Sequence, residues 1–295
     1  MKAGAAEAPS IRTALGGMEG YSLVDSGNRF KLERFGDVTV IRGEPKAWWK
    51  PALGEKEWDR AQAIHEEGRG WRVAKGCPRE WTLAEGELRF RLRLSDTSKH
   101  LGVFPEQSPH WRAIREAGAA GGGRLLNLFG YTGAATLAAA AAGWEATHVD
   151  ASKPAIAWGR ENQAASGLGG KPVRWVLEDA VKYVRREIRR GSRYEAVVLD
   201  PPAFGRGPGG GVWKVEHHLT ELLDLCGQLL SREARLFILT TYNIEASSLM
   251  LHNLLSDLFR GRGGRLEAGE LALRHEAGEG RLLPLSIYAA WRAEG

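Results

Sequence analysis

An apolar run that ends in a glycine turn constrains the fold of this 295-residue chain more than any other stretch. Leu125 to Leu128 predicts a buried strand, and the turn that follows, Phe129 to Gly133, contains two glycines. The alanine-rich segment Ala134 to Gly143 then predicts a helix. A helix that begins directly after a tight turn points backbone N–H groups and the positive end of its dipole at the space above the strand. The pattern is therefore typical either of a ligand site or of an ordinary strand-to-helix turn.

Strands and helices alternate from Leu125 onward, which is typical of a parallel sheet with helices on both faces. Strands are predicted near 124–129, 146–150, 173–177, 195–200 and 235–241, and helices near 134–142, 153–166, 179–190, 213–230 and 246–260. Two further strands, 266–274 and 285–291, would complete the sheet. The C-terminal part of the chain is therefore predicted to be an α/β domain with a mostly parallel, seven-stranded sheet.

The N-terminal part of the chain has a different pattern. Residues 1–20 are small and polar and predict a flexible tail. Short alternating runs separated by glycine turns predict a small β-rich domain over 21–96, followed by the α/β domain over 97–295. In its clearest strand, 88–94, three arginines alternate with apolar residues, and the arginine face could contact phosphates or water. Four tryptophans could stack on unpaired bases or pack in the core: Trp48, Trp49, Trp71 and Trp81.

Composition narrows the class of protein. The net charge of +5 permits a polyanionic partner without requiring one. Only Cys77 and Cys226 are present, so we expect no disulfide framework and a reducing, cytoplasmic compartment. No apolar run approaches the roughly 20 residues that cross a bilayer, and the first 20 residues lack a signal-peptide pattern, so no membrane partner is expected. The scattered histidines indicate no metal site.

Acidic residues follow three successive predicted strands: Asp150, the pair Glu178-Asp179, and Asp200. The carboxyl ends of parallel strands meet at one edge of a sheet, where ligands bind. An acid at the second strand end usually accepts hydrogen bonds from ribose hydroxyls. Asp150 and Asp179 could also serve as helix N-caps. The turn after the first strand lacks the G-x-G-x-x-G pattern of pyrophosphate sites, which favours a nucleoside ligand without phosphates, such as S-adenosylmethionine.

The segment Asp200-Pro201-Pro202-Ala203-Phe204 is the most specific signal in the chain. Each proline fixes its own φ angle and favours extended geometry in the residue before it. The segment is therefore stiff, with its carbonyl groups and the Asp200 carboxylate pointing in set directions. Phe204 could pack on a planar base.

These motifs together resemble those of the class I S-adenosylmethionine-dependent methyltransferases. The resemblance is strongest to the bacterial large-subunit ribosomal RNA methyltransferases, whose cofactor loop reads F-x-Y-T-G and whose catalytic loop reads D-P-P-x-F. The segment Gly102 to Gln107 also resembles the family's loop that closes over the methionine end of the cofactor. The resemblance covers residues 97–245 and implies a Rossmann-like methyltransferase sheet preceded by a small β-rich substrate domain.

The resemblance also implies roles for individual residues. Gln107 would contact the methionine carboxylate, Asp150 the ribose hydroxyls and Asp179 the adenine amino group. The full set implied to hold the cofactor is Phe104, Gln107, Asn127, Phe129, Gly130, Tyr131, Thr132, Gly133, Asp150, Ala151, Ser152, Asp179, Ala180 and Asp200. Those implied to be catalytic are Asp200, Pro201, Pro202 and Phe204, and those expected to contact the substrate are Phe204, Trp213 and Lys214, the last two following a glycine-rich loop at 205–211.

The positions of the cysteines limit which atom of a base can accept the methyl group. Methylation at cytosine C5 needs a cysteine nucleophile, and cytosine-specific relatives place one in a loop where this chain has Ala203 or the segment 240–243. We therefore expect a methyltransferase of RNA, ribosomal RNA in particular, that acts on guanine N7 or an exocyclic amine. The alternatives are a methyltransferase of the same fold acting on a protein or small molecule, and a non-catalytic RNA-binding protein.

Overall fold

The computed structural model describes residues 9–119, 121–206 and 211–294. The N-terminal elements are β1 (Ile11–Leu15), β2 (Tyr21–Gly27), β3 (Phe30–Phe35), β4 (Val38–Gly43), α1 (Glu55–Trp58), β5 (Ala63–Glu66), β6 (Gly70–Val73), β7 (Glu80–Glu85) and β8 (Leu88–Arg93). They are followed by α2 (Ser108–Gly118), β9 (Gly123–Leu128), α3 (Ala134–Ala141), β10 (Trp144–Asp150), α4 (Lys153–Ala165), β11 (Val173–Leu177), α5 (Ala180–Arg189) and β12 (Ala196–Leu199). The C-terminal elements are β13 (Phe204–Arg206), β14 (Val212–Lys214), α6 (Val215–Leu229), β15 (Leu236–Thr241), α7 (Ser248–Leu258), β16 (Arg265–Arg274) and β17 (Leu282–Arg292).

The central sheet has eight strands in the order β1-β16-β17-β15-β12-β9-β10-β11. Strands β9, β10, β11, β12 and β15 are mutually parallel, and β17 is antiparallel to both of its neighbours. The mostly parallel α/β sheet predicted from the sequence is therefore confirmed. The strand order reverses between β9 and β12, so the loops after these two strands lie side by side, at the position where open α/β sheets bind ligands.

The eighth strand, β1, corrects the prediction of a flexible tail over residues 1–20. Residues 11–15 pair in parallel with β16, from Ile11 opposite Ala268 to Leu15 opposite Ala272. Four of these five residues are exposed, so no apolar alternation in the sequence marks the strand. Backbone hydrogen bonds to an edge that is already folded hold it in place, and such bonds depend little on side-chain type.

A second, five-stranded sheet of order β2-β3-β4-β5-β6 and the β7–β8 hairpin make up the β-rich part of the chain. The hairpin packs on α4, where the backbone N–H of Arg91 donates to Asn162 Oδ1 at 2.9 Å. Its arginines are largely occupied, because Arg91 and Arg93 both pair with Glu80 and Glu161. The arginine face of the hairpin therefore attaches it to α4.

Apolar side chains bury both faces of the central sheet. Helices α5, α6 and α7 cover one face, and α2 and α3 cover the other. The β-rich part of the chain packs against α2 and α3. Cys226 is fully buried in α6 among leucines, which agrees with a packing role. Within the described residues, no helix combines the length and the apolar character needed to cross a membrane.

Candidate active site

The turn after β9 is held in an unusual backbone conformation. Phe129 and Tyr131 have φ angles of 57° and 51°, in the left-handed region that side-chain-bearing residues seldom adopt. Gly130 between them has no room for a side chain, because a Cβ there would lie 2.4 Å from the imidazole of His148. Such conformations cluster at ligand-binding sites, where the surrounding structure compensates for their cost.

Asp150, at the end of β10, braces this turn. Its Oδ2 accepts a hydrogen bond from the Tyr131 N–H at 2.8 Å, and its Oδ1 accepts one from the Ser152 N–H at 2.8 Å. Burial raises the pKa of Asp150, and these two bonds oppose the rise. Asp150 is not a helix cap, since the Ser152 side chain caps α4; Asp179, in contrast, does cap α5 by accepting from the Lys182 N–H at 2.9 Å.

The strand ends surround a cleft of about 380 Å³. The residues expected to hold a cofactor that line it are Phe104, Phe129, Tyr131, Asp150, Ala151, Ser152, Asp179, Ala180 and Asp200. A narrower adjoining cavity runs toward α2 and is lined by Gln107, Asn127, Gly130 and Thr132. Gly133 lines neither cavity but precedes α3, with a φ of 90°. The structure thus brings nearly all the predicted cofactor residues around one continuous space.

Asp200 follows β12 and is buried in the wall of this space. Its Oδ2 accepts a hydrogen bond from Gln107 Nε2 at 3.0 Å, whereas its Oδ1 has no hydrogen-bond partner among the described residues. Burial, with a smaller contribution from the nearby Glu106 carboxylate, raises the pKa of Asp200 to about 8. An unpartnered, buried carboxyl oxygen is costly unless a ligand supplies a donor.

A smaller cavity of about 70 Å³, hereafter the acceptor chamber, shares Asp200 with the cleft. Phe104, His100, Asp200 and Tyr242 line both it and the 380 Å³ cleft, so they form the wall between the two. The rest of the chamber is formed mainly by charged side chains from distant parts of the chain: Lys31, Arg42, Glu44, Lys99 and Glu106. No pattern in the sequence marks this chamber.

The charged groups of the chamber are fixed by buried ion pairs. Arg42 binds Glu33 through two hydrogen bonds of 2.7 Å, and Lys31 lies 3.4 Å from the same carboxylate. Burial alone would raise the pKa of Glu33, but Arg42 and Lys31 hold it at about 2. Burial and the neighbouring cations lower the pKa of His100 to about 3, so its imidazole is neutral.

Trp213, which the sequence predicts to contact the substrate, is buried in β14 and lines the cleft. Its Nε1 donates to the Pro202 carbonyl at 2.7 Å, and its ring lies 5.2 Å from that of Phe129. Phe204 and Lys214 are exposed in the β13–β14 hairpin, and neither lines the cleft or the chamber. Part of the predicted glycine loop, residues 207–210, lies outside the described residues. Pro201 is buried, and Pro202 lines the cleft.

This placement predicts that Trp213→Ala weakens the binding of S-adenosylmethionine, the expected cofactor, by roughly tenfold (about 1.4 kcal/mol). The reason is that the indole both lines the cleft and supports Phe129 and Pro202. Calorimetric titration measures the effect. The matched control is Lys214→Ala, which removes the exposed neighbour and should leave the affinity unchanged. Wild-type affinity in Trp213→Ala would restore the original expectation that this residue acts on the substrate alone.

Comparison with known proteins agrees with this geometry. Residues 66–249 match the family model described as S-adenosylmethionine-dependent methyltransferase. The crystal structure of a SAM-dependent methyltransferase from Agrobacterium tumefaciens superposes with a TM-score of 0.92 and 42% sequence identity, covering 97% of this chain and 94% of that one. A methyltransferase from Streptococcus mutans has a TM-score of 0.68 over 90% of this chain and 73% of that one; at 17% identity it shows the shared fold only.

Two curated relatives carry names that specify a substrate. The ribosomal RNA large subunit methyltransferase K/L of Pseudomonas aeruginosa is 35% identical over 145 residues, which are 48% of this chain and 19% of that protein. The ribosomal RNA large subunit methyltransferase K of Neisseria meningitidis is 25% identical over 182 residues, which are 61% of this chain and 49% of that protein. The chain thus spans about a fifth to a half of the length of these relatives. From the family match and the nearly full-length structural likeness, this chain belongs to the S-adenosylmethionine-dependent methyltransferases.

Proposed function

We propose that this enzyme transfers the methyl group of S-adenosylmethionine to a nitrogen of a base in ribosomal RNA. The names of the Pseudomonas and Neisseria relatives support ribosomal RNA as the acceptor. The observation that carries the proposal is the buried Asp200 carboxyl, which stands between two cavities with its Oδ1 unpartnered. One cavity is suited to the cofactor and the other to the acceptor.

The residues around the 380 Å³ cleft fit S-adenosylmethionine. The carboxylates of Asp150 and Asp179 can accept hydrogen bonds from the ribose hydroxyls and the adenine amino group, and Phe129 and Val149 offer apolar surface to the base. The methionine part would occupy the adjoining cavity at Gly130 and Thr132. When bound, the cofactor supplies a methyl group already activated by its sulfonium, so the protein mainly has to align the acceptor.

The acceptor chamber is the place for the target base. When the Asp200 carboxyl is ionised, its unpartnered Oδ1 can accept a hydrogen bond from an N–H of the base, and an exocyclic amine provides such a donor. Among the two acceptors that the sequence left open, guanine N7 and an exocyclic amine, this oxygen favours the amine. Residues 21–96, which contribute Lys31, Arg42 and Glu44 to the chamber, would then form the substrate domain.

Cytosine C5 is disfavoured as the acceptor. The covalent route to C5 needs a thiolate beside the base, and neither Cys77 nor Cys226 lines the described walls of the chamber. Cys226 is enclosed in the core, and burial strongly raises the pKa of its thiol. A non-catalytic role is also disfavoured, since an RNA-binding protein would not need a stiff Asp200-Pro201-Pro202 segment between two cavities.

Nucleoside analysis tests the proposal directly. Purified enzyme and S-adenosylmethionine carrying a labelled methyl group are incubated with ribosomal RNA from cells that lack the gene, and in parallel with protein from the same cells. We expect label in RNA, and after digestion we expect it on a nucleoside methylated at an exocyclic amine.

Each other outcome identifies a different acceptor. Label on N7-methylguanosine would keep RNA as the substrate and move the acceptor to the ring nitrogen. Label on C5-methylcytidine would contradict the nitrogen assignment. Label in the protein fraction alone would favour the alternative that the sequence left open and overturn the proposal.

A further inference from the structure

Trp48 differs from the other tryptophans that the sequence marks as possible base-stacking residues. Its exposed fraction is 77%, whereas Trp71 is 7% exposed. Trp49 and Trp81 are half-buried, and their indole N–H groups donate to the carbonyls of Ser26 and Phe35 at 2.8 and 3.0 Å. Trp48 therefore presents a large apolar ring to solvent, which costs free energy unless a partner covers it.

The Trp48 ring is held in a fixed orientation. Its Nε1 donates to the Pro45 carbonyl at 2.7 Å, and the Arg29 guanidinium lies 5.8 Å from its centroid. The loop that carries it is tied to the β2–β3 turn by three backbone bonds of 2.7 Å: Asn28 to Trp49, Arg29 to Ala47, and Glu44 to Arg29. A ring that is already ordered loses little conformational entropy when a ligand covers it.

The β2–β3 turn itself is strained. Asn28 and Arg29 have φ angles of 51° and 68°, as a two-residue turn of this hairpin requires. Glycine is the favoured second residue of such turns, and a left-handed arginine is costly. The arginine at this position places a cation beside Trp48, a gain that glycine would not provide.

The same loop reaches the acceptor chamber. Glu44 and Pro45 line the chamber, and Trp48 follows three residues after Pro45 while its indole is bonded back to the Pro45 carbonyl. Of the charged side chains in segments 28–31 and 44–50, Lys31 and Glu44 are buried, which leaves three cations that reach the surface: Arg29, Lys46 and Lys50. An exposed aromatic ring among cations is the arrangement that binds single-stranded nucleic acid.

We propose that Trp48 and Arg29 form a stacking site for an unpaired RNA base that neighbours the base held in the acceptor chamber. This inference rests on the proposed function, because it takes RNA to be the substrate. It adds a second contact, on the β-rich part of the chain, that would select an acceptor whose flanking base is unpaired. Aromatic side chains stack on any base, so this contact contributes affinity and local structure preference without reading a sequence.

Steady-state kinetics with ribosomal RNA from cells lacking the gene tests the site. We expect Trp48→Ala to raise KM for RNA roughly tenfold, the effect of losing one stacked base, with unchanged affinity for S-adenosylmethionine. Trp48→Phe keeps a ring and should raise KM less. Arg29→Gly should raise KM by about threefold without lowering thermal stability, because glycine relieves the left-handed strain. The matched control is Ile11→Ala, which truncates an exposed apolar residue of β1 (47% exposed) that lines neither the cleft nor the acceptor chamber.

The outcomes separate this inference from the proposed function. If wild type methylates RNA and Trp48→Ala does so with the same KM, the stacking site is overturned while the proposed function stands. If wild type neither binds nor methylates RNA, both fail. If Trp48→Ala leaves KM unchanged but converts an oligomer to a monomer in light scattering, Trp48 belongs to an interface between copies of the chain, and the inference is again overturned.

Discussion

Replacement of Asp200 by asparagine is expected to lower kcat for methyl transfer to ribosomal RNA by roughly 10²- to 10⁴-fold, the range attributed to a positioned acid or base. Asparagine retains an oxygen that can accept the bond from Gln107, so the local structure should persist. Its amide, however, cannot accept the proton that an exocyclic amine loses on methylation. Single-turnover measurements with saturating cofactor give the rate of the transfer step.

The pH profile provides the second readout for Asp200. Burial raises the pKa of its carboxyl to about 8 in the free protein, so below that pH the group carries a proton and cannot accept another. The rate should therefore rise with pH and then level off. With S-adenosylmethionine bound, the rise should be centred below pH 8, because a nearby sulfonium charge lowers the pKa of the carboxyl. Asp200→Asn should lack this rise. A small loss of kcat with an unaltered pH profile would show that the acceptor needs no base, as at guanine N7.

Arg42→Met is expected to cost about 3–5 kcal/mol in the free energy of unfolding, because it leaves a buried carboxylate without its partner. Glu33 is fully buried and Arg42 is 4% exposed, and the two bonds between them are both 2.7 Å. The same pair fixes the guanidinium in the acceptor chamber. Urea denaturation at pH 7, followed by circular dichroism, measures the loss. A deficit below about 1 kcal/mol, typical of a surface ion pair, would contradict this account.

The pH dependence of that deficit has a defined sign. In wild type the Glu33 pKa is lowered to about 2, so the stability due to its ionised form is present above the ordinary glutamate range and is lost as pH falls through 2. In Arg42→Met the buried Glu33 loses its main partner, and its pKa should rise above the ordinary range. Acidification from pH 7 to 5 should then reduce the difference in the free energy of unfolding between the variant and the wild type. The double variant Glu33→Gln, Arg42→Met, which buries no charge at this position, should recover part of the loss.

The fold and the residues around the 380 Å³ cleft were largely predictable because their sequence signals are local. The strand from Leu125, the turn at Phe129 to Gly133 and the acids after β10, β11 and β12 follow from short-range periodicity and turn chemistry. Parallel strands of one sheet end at the same edge, so the local pattern also places those acids together. One prediction failed where the signal was absent: residues 11–15, predicted to lie in a flexible tail, form β1, which pairs with β16.

By itself, the sequence determined the α/β sheet, the turn at Phe129 to Gly133 and the stiff Asp200-Pro201-Pro202 segment, because each depends on residues adjacent in the chain. The acceptor chamber and the exposed position of Trp48 follow only from the tertiary structure. Lys31, Glu33 and Arg42 are polar residues of strands, which sequence patterns place toward water, yet they are buried. Their burial is stable because Lys31 and Arg42 both pair with Glu33, and Glu44 balances the remaining positive charge by pairing with Lys31. A pairing between side chains nine residues apart has no local signature.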